Sequence, residues 1–176
     1  MMKILLTFSW LCWLLIAAPS AENQGKEAEI KFQIRNAGLA VDGTFSGLVA
    51  TVQFDPANLS QANIRASVPV SSIKTGISLR DQHLQKPDYF DAEHFPNITL
   101  QSRVFRKTGP EQYEGIFMLT MKGISHEVKF PFTVSAAHEF QGKLRVNRLD
   151  YGVGKKSLLL ADEVNVSIRM KAAGGS

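Results

Sequence analysis

With 176 residues, 44% of them hydrophobic and 20% charged, the chain has the size and composition of one globular domain and not of a disordered or low-complexity polymer. Its formal net charge of +4 comes from interspersed lysines, arginines and acids, which excludes the dense basic stripe of a nucleic-acid binder. The single cysteine, Cys12, excludes an intrachain disulfide, so a hydrophobic core alone must hold the fold.

The first residues read as a leader. Lys3 supplies a positive start, and Ile4 to Ala18 form an apolar run broken only by Thr7 and Ser9. This is the pattern of a cleavable signal peptide over residues 1–20, too short and wrongly flanked for a membrane span. Cleavage after Ser20 places Ala18 at the −3 position, whereas cleavage after Ala21 would place Pro19 there. Cys12 follows Leu11 rather than a small residue, so it reads as apolar filler and not as a lipidation site. Trp10 and Trp13 depart with the leader. A single domain is expected over residues 21–173.

Period-2 alternation dominates the chain after the leader. Ile30, Phe32 and Ile34 alternate with Lys31, Gln33 and Arg35. Val41 to Phe54 holds two phases that shift near Ser46-Gly47, which reads as a bulge or sharp bend. Ile64 to Val70 continue the pattern, and so do Ile98 to Val104 and Tyr113 to Met121. After a turn at Lys122-Gly123-Ile124-Ser125, alternation resumes at Val128 to Val134, Leu144 to Arg148 and Val164 to Met170. Eight antiparallel strands joined by short turns leave a sandwich or a barrel. Long alternation, one bend and the absence of a Cys-Trp-Cys core favour an eight-stranded barrel.

One interval breaks the alternation. From about residue 78 to 95 the pattern suits a helical insertion, with Leu79, Leu84, Tyr89 and Phe90 as buried points. Asp88 or Asp91 could cap a second short helix before Pro96 ends it. The insertion is expected to lie over one end or side of the barrel.

The segment Val68 to Ser102 carries Thr75-Gly76, Arg80-Asp81-x-His83-Leu84, Tyr89-Phe90-Asp91 and Phe95-Pro96 in that order. Gly43-x-Phe45-x-Gly47 and Phe54-Asp55-Pro56 precede it. Leu119-Thr120-x-Lys122-Gly123-Ile124-Ser125, Tyr151-Gly152-Val153-Gly154 and Ala161-Asp162-x-Val164 come after it. Together these resemble the YceI-like family. The resemblance implies an all-β, lipocalin-like barrel with a short helical insertion, residence in the bacterial periplasm, and binding of a polyisoprenoid or another long-chain lipid.

The inward-facing candidates are Phe32, Ile34, Phe45, Val68, Val70, Ile98, Leu100, Phe117, Leu119, Phe130, Phe132, Leu144, Val164, Val166 and Ile168. From the residues alone a filled core is favoured over the wall of a cavity, although an eight-stranded barrel is just wide enough for either. The resemblance implies the cavity. A carrier that sequesters an amphipathic lipid is then expected, against two alternatives: a filled interaction barrel and a lipid-modifying enzyme. An anionic membrane face is a candidate neighbour, a homodimer a candidate assembly, and nucleic acid is not a partner.

Arg80, Asp81 and His83 are expected to organise the insertion, Arg80 by pairing with a carboxylate and His83 by bonding backbone. His83, His94, Asp81, Asp88, Asp91 and Glu93 crowd one segment, but no HExxH-like pairing or thiolate accompanies them, so no metal or other cofactor is expected. Ser71, Ser72 and Thr75 lack a Gly-x-Ser-x-Gly elbow and are read as local backbone partners, so no catalysis is expected.

Overall fold

The computed structural model describes residues 23–24 and 28–172. The expected leader, with Trp10, Cys12 and Trp13, lies outside the described residues. The strands in chain order are β1 (Asn23–Gln24), β2 (Ala28–Asn36), β3 (Leu39–Phe45), β4 (Val49–Gln53), β5 (Asn63–Pro69), β6 (Asn97–Gly109), β7 (Gln112–Met121), β8 (Ile124–Val134), β9 (Glu139–Asn147) and β10 (Glu163–Lys171). One helix, α1 (Ser78–Leu84), lies between β5 and β6.

All ten strands join one sheet in the order β1-β4-β5-β6-β7-β8-β9-β10-β2-β3, and every ladder in it is antiparallel. Eight strands were expected. Apart from the two-residue β1, the difference comes from the run at residues 41–54, which is cut in two. Its first half, β3, pairs with β2, while its second half, β4, pairs with β5 at the opposite end of the ladder. Only Ser46 to Leu48 separate the halves, with Gly47 at φ 73° making the bend. A sheet whose two ends are three residues apart in the chain must curl round on itself. The free edge of β3 is further closed by Thr44 and Lys74, whose backbones exchange hydrogen bonds of 2.8 and 3.0 Å.

The alternation has its physical counterpart on the inner face. Along β7, Tyr113, Gly115, Phe117, Leu119 and Met121 are all buried, as are Phe140, Gly142, Leu144 and Val146 along β9. β6 departs from its expected parity. A register shift between Ser102 and Val104 makes Arg103 an extra residue, so Val104 turns outward at 57% exposure and Phe105 inward at 7%. Two tight turns, Ala37-Gly38 and Lys122-Gly123, have both residues at positive φ, the geometry that matches strand twist in two-residue hairpins.

One end of the barrel is packed shut. Phe54 sits among Phe105, Tyr113, Phe132 and Phe140 with ring centroids 5.1 to 5.7 Å apart, mostly edge to face. The insertion and the β9–β10 connection lie at the other end, together with the Ala37-Gly38 and Lys122-Gly123 turns.

Candidate functional site

Above that aromatic floor the barrel is hollow. A cavity of about 930 Å³ runs from Phe132 and Phe140 up to the insertion and the β9–β10 loop. It lies near the top of the size range of roughly 300–1,000 Å³ typical of small-molecule pockets. Phe32, Ile34, Phe45, Val68, Ile98, Leu100, Phe117, Leu119, Phe130, Phe132, Leu144, Val164, Val166 and Ile168 all lie on its wall. Val70 does not. The strand ends at Pro69, Val70 opens a 3-10 turn, and its side chain is buried outside the cavity. Strand parity had no authority beyond the strand. Ile30, Leu48, Ile64 and Met121 also line the wall; each belongs to an alternating run, so its inward parity was readable.

Space survives because several inward rings lie back over glycines. Phe32 faces Gly43 across β2 and β3, and a Cβ at Gly43 would sit 2.1 Å from the Phe32 ring. A Cβ at Gly142 would sit 2.7 Å from Phe130 and 2.6 Å from the Pro131 carbonyl oxygen. Rings folded against the wall in this way leave the bore open.

The rim is built from the insertion. Only α1 is helical within it; the expected second helix is absent, and residues 85–95 form consecutive turns with Asp91 at φ 51°. Thr75 organises the approach to α1. Its N–H and hydroxyl both donate to Asp81 Oδ1, at 2.8 and 2.6 Å, while its own hydroxyl and carbonyl oxygens accept from Arg80 at 2.7 and 2.6 Å. Arg80 therefore reaches Asp81 through a shared threonine and not as the direct carboxylate pair expected. His83 also differs from expectation. It is exposed on the rim, and its ring meets Tyr89 edge-on at 5.1 Å. His83→Ala is accordingly expected to cost no more than about 1.5 kcal/mol, the upper end for an aromatic pair, as read from chemical denaturation.

The two Thr75 hydrogen bonds, with Lys74 and Arg80 nearby, outweigh desolvation and hold the Asp81 carboxyl below its usual value. A carboxyl depressed in the fold contributes fully above its unfolded pKa, and that contribution is lost as pH falls through the folded one. Asp81→Asn is thus expected to lower the thermal midpoint at neutral pH. The gap to wild type should close at acid pH, where wild type is itself protonated. A gap constant from pH 7 down to pH 2 would contradict this role.

Other bonds fix the insertion to the barrel. Lys122 Nζ donates to the Pro87 and Gly152 carbonyls at 2.6 and 2.9 Å, and Gly154 N–H donates to the Asp88 carbonyl at 2.9 Å. His94 lies 2.8 Å from Asp91, whose hydrogen bond and charge raise the imidazole pKa above its ordinary value. Among the described residues no three His, Cys, Asp or Glu side chains converge as a metal would require.

Arg148 is the residue that sequence reasoning passed over. It is buried, lines the cavity, and donates five hydrogen bonds. Nε reaches the Ala161 carbonyl and Nη1 the Val153 carbonyl, both at 2.9 Å. Nη2 reaches the carbonyls of Lys155 and Leu160 and the Asp162 carboxylate, at 2.9, 3.4 and 3.2 Å. One guanidinium thereby shapes the whole β9–β10 loop. Strand parity could not have placed it, because β9 ends at Asn147 and Arg148 opens a 3-10 turn.

The wall is thus apolar in the bore and charged at the rim, where Arg80, Asp88, Arg148, Lys155 and Lys156 contribute four cations against one acid. A family model described as YceI-like domain matches residues 23–172. A UPF0312 protein of Photorhabdus laumondii is 30% identical over 105 residues, covering 59% of this chain and 54% of that one. Protein YceI of Salmonella agona is 30% identical over 127 residues, covering 69% and 66%. The chain spans little more than half the length of the first of these relatives. Among solved structures, BcnA of Burkholderia cenocepacia superposes with a TM-score of 0.79 at 27% identity, covering 83% of this chain and 96% of that one. A polyisoprenoid-binding domain from Saccharophagus degradans, implicated in plant cell wall breakdown, has a TM-score of 0.65 at 11% identity, covering 85% and 95%, and shows likeness of fold alone.

Proposed function

Since the chain belongs to the YceI-like domain family, we propose that it binds one long-chain amphipathic lipid, polyisoprenoid or fatty-acid-like, with the tail in the barrel and the polar group at the rim. The observation that carries this reading is the cavity of about 930 Å³, apolar along its bore and charged only at its rim. A filled interaction barrel would have no use for such a void, which forfeits packing along its whole lining. The signal peptide expected over residues 1–20 supports a carrier working in the periplasm, where a lipid crossing water needs its tail covered.

The energetics are sufficient without chemistry. Burying a tail of about twenty carbons contributes roughly 16 kcal/mol at about 0.8 kcal/mol per methylene. Association costs of about 4–15 kcal/mol leave net binding anywhere from weak to tight. Binding and not catalysis is also supported by how the rim's polar groups are used: Thr75 is held by Arg80 and Asp81, and Arg148 by carbonyls. The test is native mass spectrometry of protein purified from its own periplasm, followed by organic extraction. A stoichiometric adduct that extracts as a long-chain lipid is expected. Protein that is consistently free of any adduct, and takes none up from dispersed lipid, would overturn the reading.

A further inference from the structure

Seven large hydrophobic side chains are exposed among the described residues, and five of them surround the cavity mouth. Leu39 stands at the tip of the β2–β3 hairpin at 73% exposure, Ile77 and Leu79 at the start of α1, and Leu158 and Leu159 in the β9–β10 loop, Leu158 fully exposed. The hairpin and the loop are locked side by side, for Ala37 N–H donates to the Leu159 carbonyl at 2.8 Å and Ala161 N–H to the Arg35 carbonyl at 2.9 Å. Ile77, Leu79 and Leu159 also reach the cavity, so the exposed apolar ring is continuous with the bore. Contiguous exposed apolar surface on a folded protein marks a contact with something apolar.

Nor is the loop free to hide these leucines. Arg148 fixes both of its ends, and Ser157 Oγ accepts from the N–H groups of Leu159 and Leu160 at 3.1 and 3.2 Å. Lys155 and Lys156 precede the leucines, both exposed, and Lys74 and Arg35 are exposed beside the same end. Asp88 is the one acid on the cavity wall.

We propose that this rim is a membrane-docking surface, in which Leu39, Ile77, Leu79, Leu158 and Leu159 enter the interface of a bilayer while Lys155 and Lys156 meet anionic headgroups. Leucines that insert shallowly beside lysines that stay at headgroup level are the division of labour found on interfacial protein surfaces. A second copy of this chain fits less well, since burying the leucines against it would also take the exposed Lys155 and Lys156 out of water. The inference rests on the lipid-binding reading and extends it: a tail entering the bore directly from a bilayer never crosses water.

The experiment is flotation with vesicles of phosphatidylglycerol and phosphatidylethanolamine, against vesicles of phosphatidylcholine. Wild type is expected to float with the anionic vesicles and to be released by high salt. Leu39→Ser with Leu158→Ser, two side chains that do not line the cavity, should weaken this partition about tenfold or more. Lys155→Gln and Lys156→Gln should each weaken it about fivefold, on anionic vesicles only. In a second arm the same serine variant takes up a fluorescent sixteen-carbon fatty acid dispersed in buffer, and uptake equal to wild type is expected. Wild type that does not float, variants that float equally, or a wild-type dimer abolished by the serine pair would each overturn docking. So would loss of fatty-acid uptake in the serine variant, since the rim would then belong to the cavity. Flotation without uptake by wild type would leave docking standing and remove the cavity reading instead.

Discussion

Replacing Leu119 with tryptophan is expected to abolish lipid uptake while leaving the barrel folded. Leu119 sits on the cavity wall toward the rim end of β7, between Met121 nearer the rim and Phe117 nearer the floor. An indole there projects across the bore and cuts off its lower half. Because it enters open space, the thermal midpoint should stay close to wild type. A solid core would respond differently, since overpacking costs about 1–3 kcal/mol and lowers the midpoint visibly. The chain's own tryptophans are Trp10 and Trp13, both in the expected leader, so in the processed protein the new indole is the sole tryptophan and can be excited apart from the tyrosines. Blue-shifted emission, intact folding and lost uptake together are the expected result. Undiminished uptake by a folded variant with a buried indole would place the ligand elsewhere.

The second large effect is on stability. Arg148→Met should destabilise the protein by about 2–3 kcal/mol, the upper end of the cost of leaving one buried polar group unpaired. Of the five acceptors it abandons, the outermost can turn to water, which keeps the cost from summing. In a domain of this length that shift corresponds to about 5–10 °C in thermal midpoint. Arg148→Lys should recover little of it, because an ammonium cannot reach acceptors that are spread across a planar fork. The loop at residues 153–161 should become the first site of proteolysis in both variants. A midpoint within a degree or two of wild type would show that the loop holds its shape without the guanidinium.

How legible each feature was in the sequence depends on how local it is. Alternation is a property of a single strand, so Phe117, Leu119, Leu144 and Val166 could be assigned to the inner face from parity alone. The same rule failed where the local geometry changed. At Val70 the strand had already ended, and at Val104 one extra residue reversed the faces. The order of motifs from Thr75 to Pro96 marked the insertion, but the sharing of Thr75 between Arg80 and Asp81 depends on a turn whose shape no residue pattern displays.

Residue order was enough to specify antiparallel strands with one apolar face, because period-2 patterning and turn residues act within a few residues of each other. Whether that face would enclose a solid core or a void was decided only in three dimensions. The balance depends on rings meeting glycines across strands, as Phe32 meets Gly43, and on phenylalanines gathering at one end around Phe54. The rim, too, is a tertiary product. Leu39 and Leu158 are more than a hundred residues apart in the chain until the backbone bonds between the two loops bring them to one edge of the mouth. Long-range pairing sets such contacts, and composition or spacing along the chain does not encode where they fall.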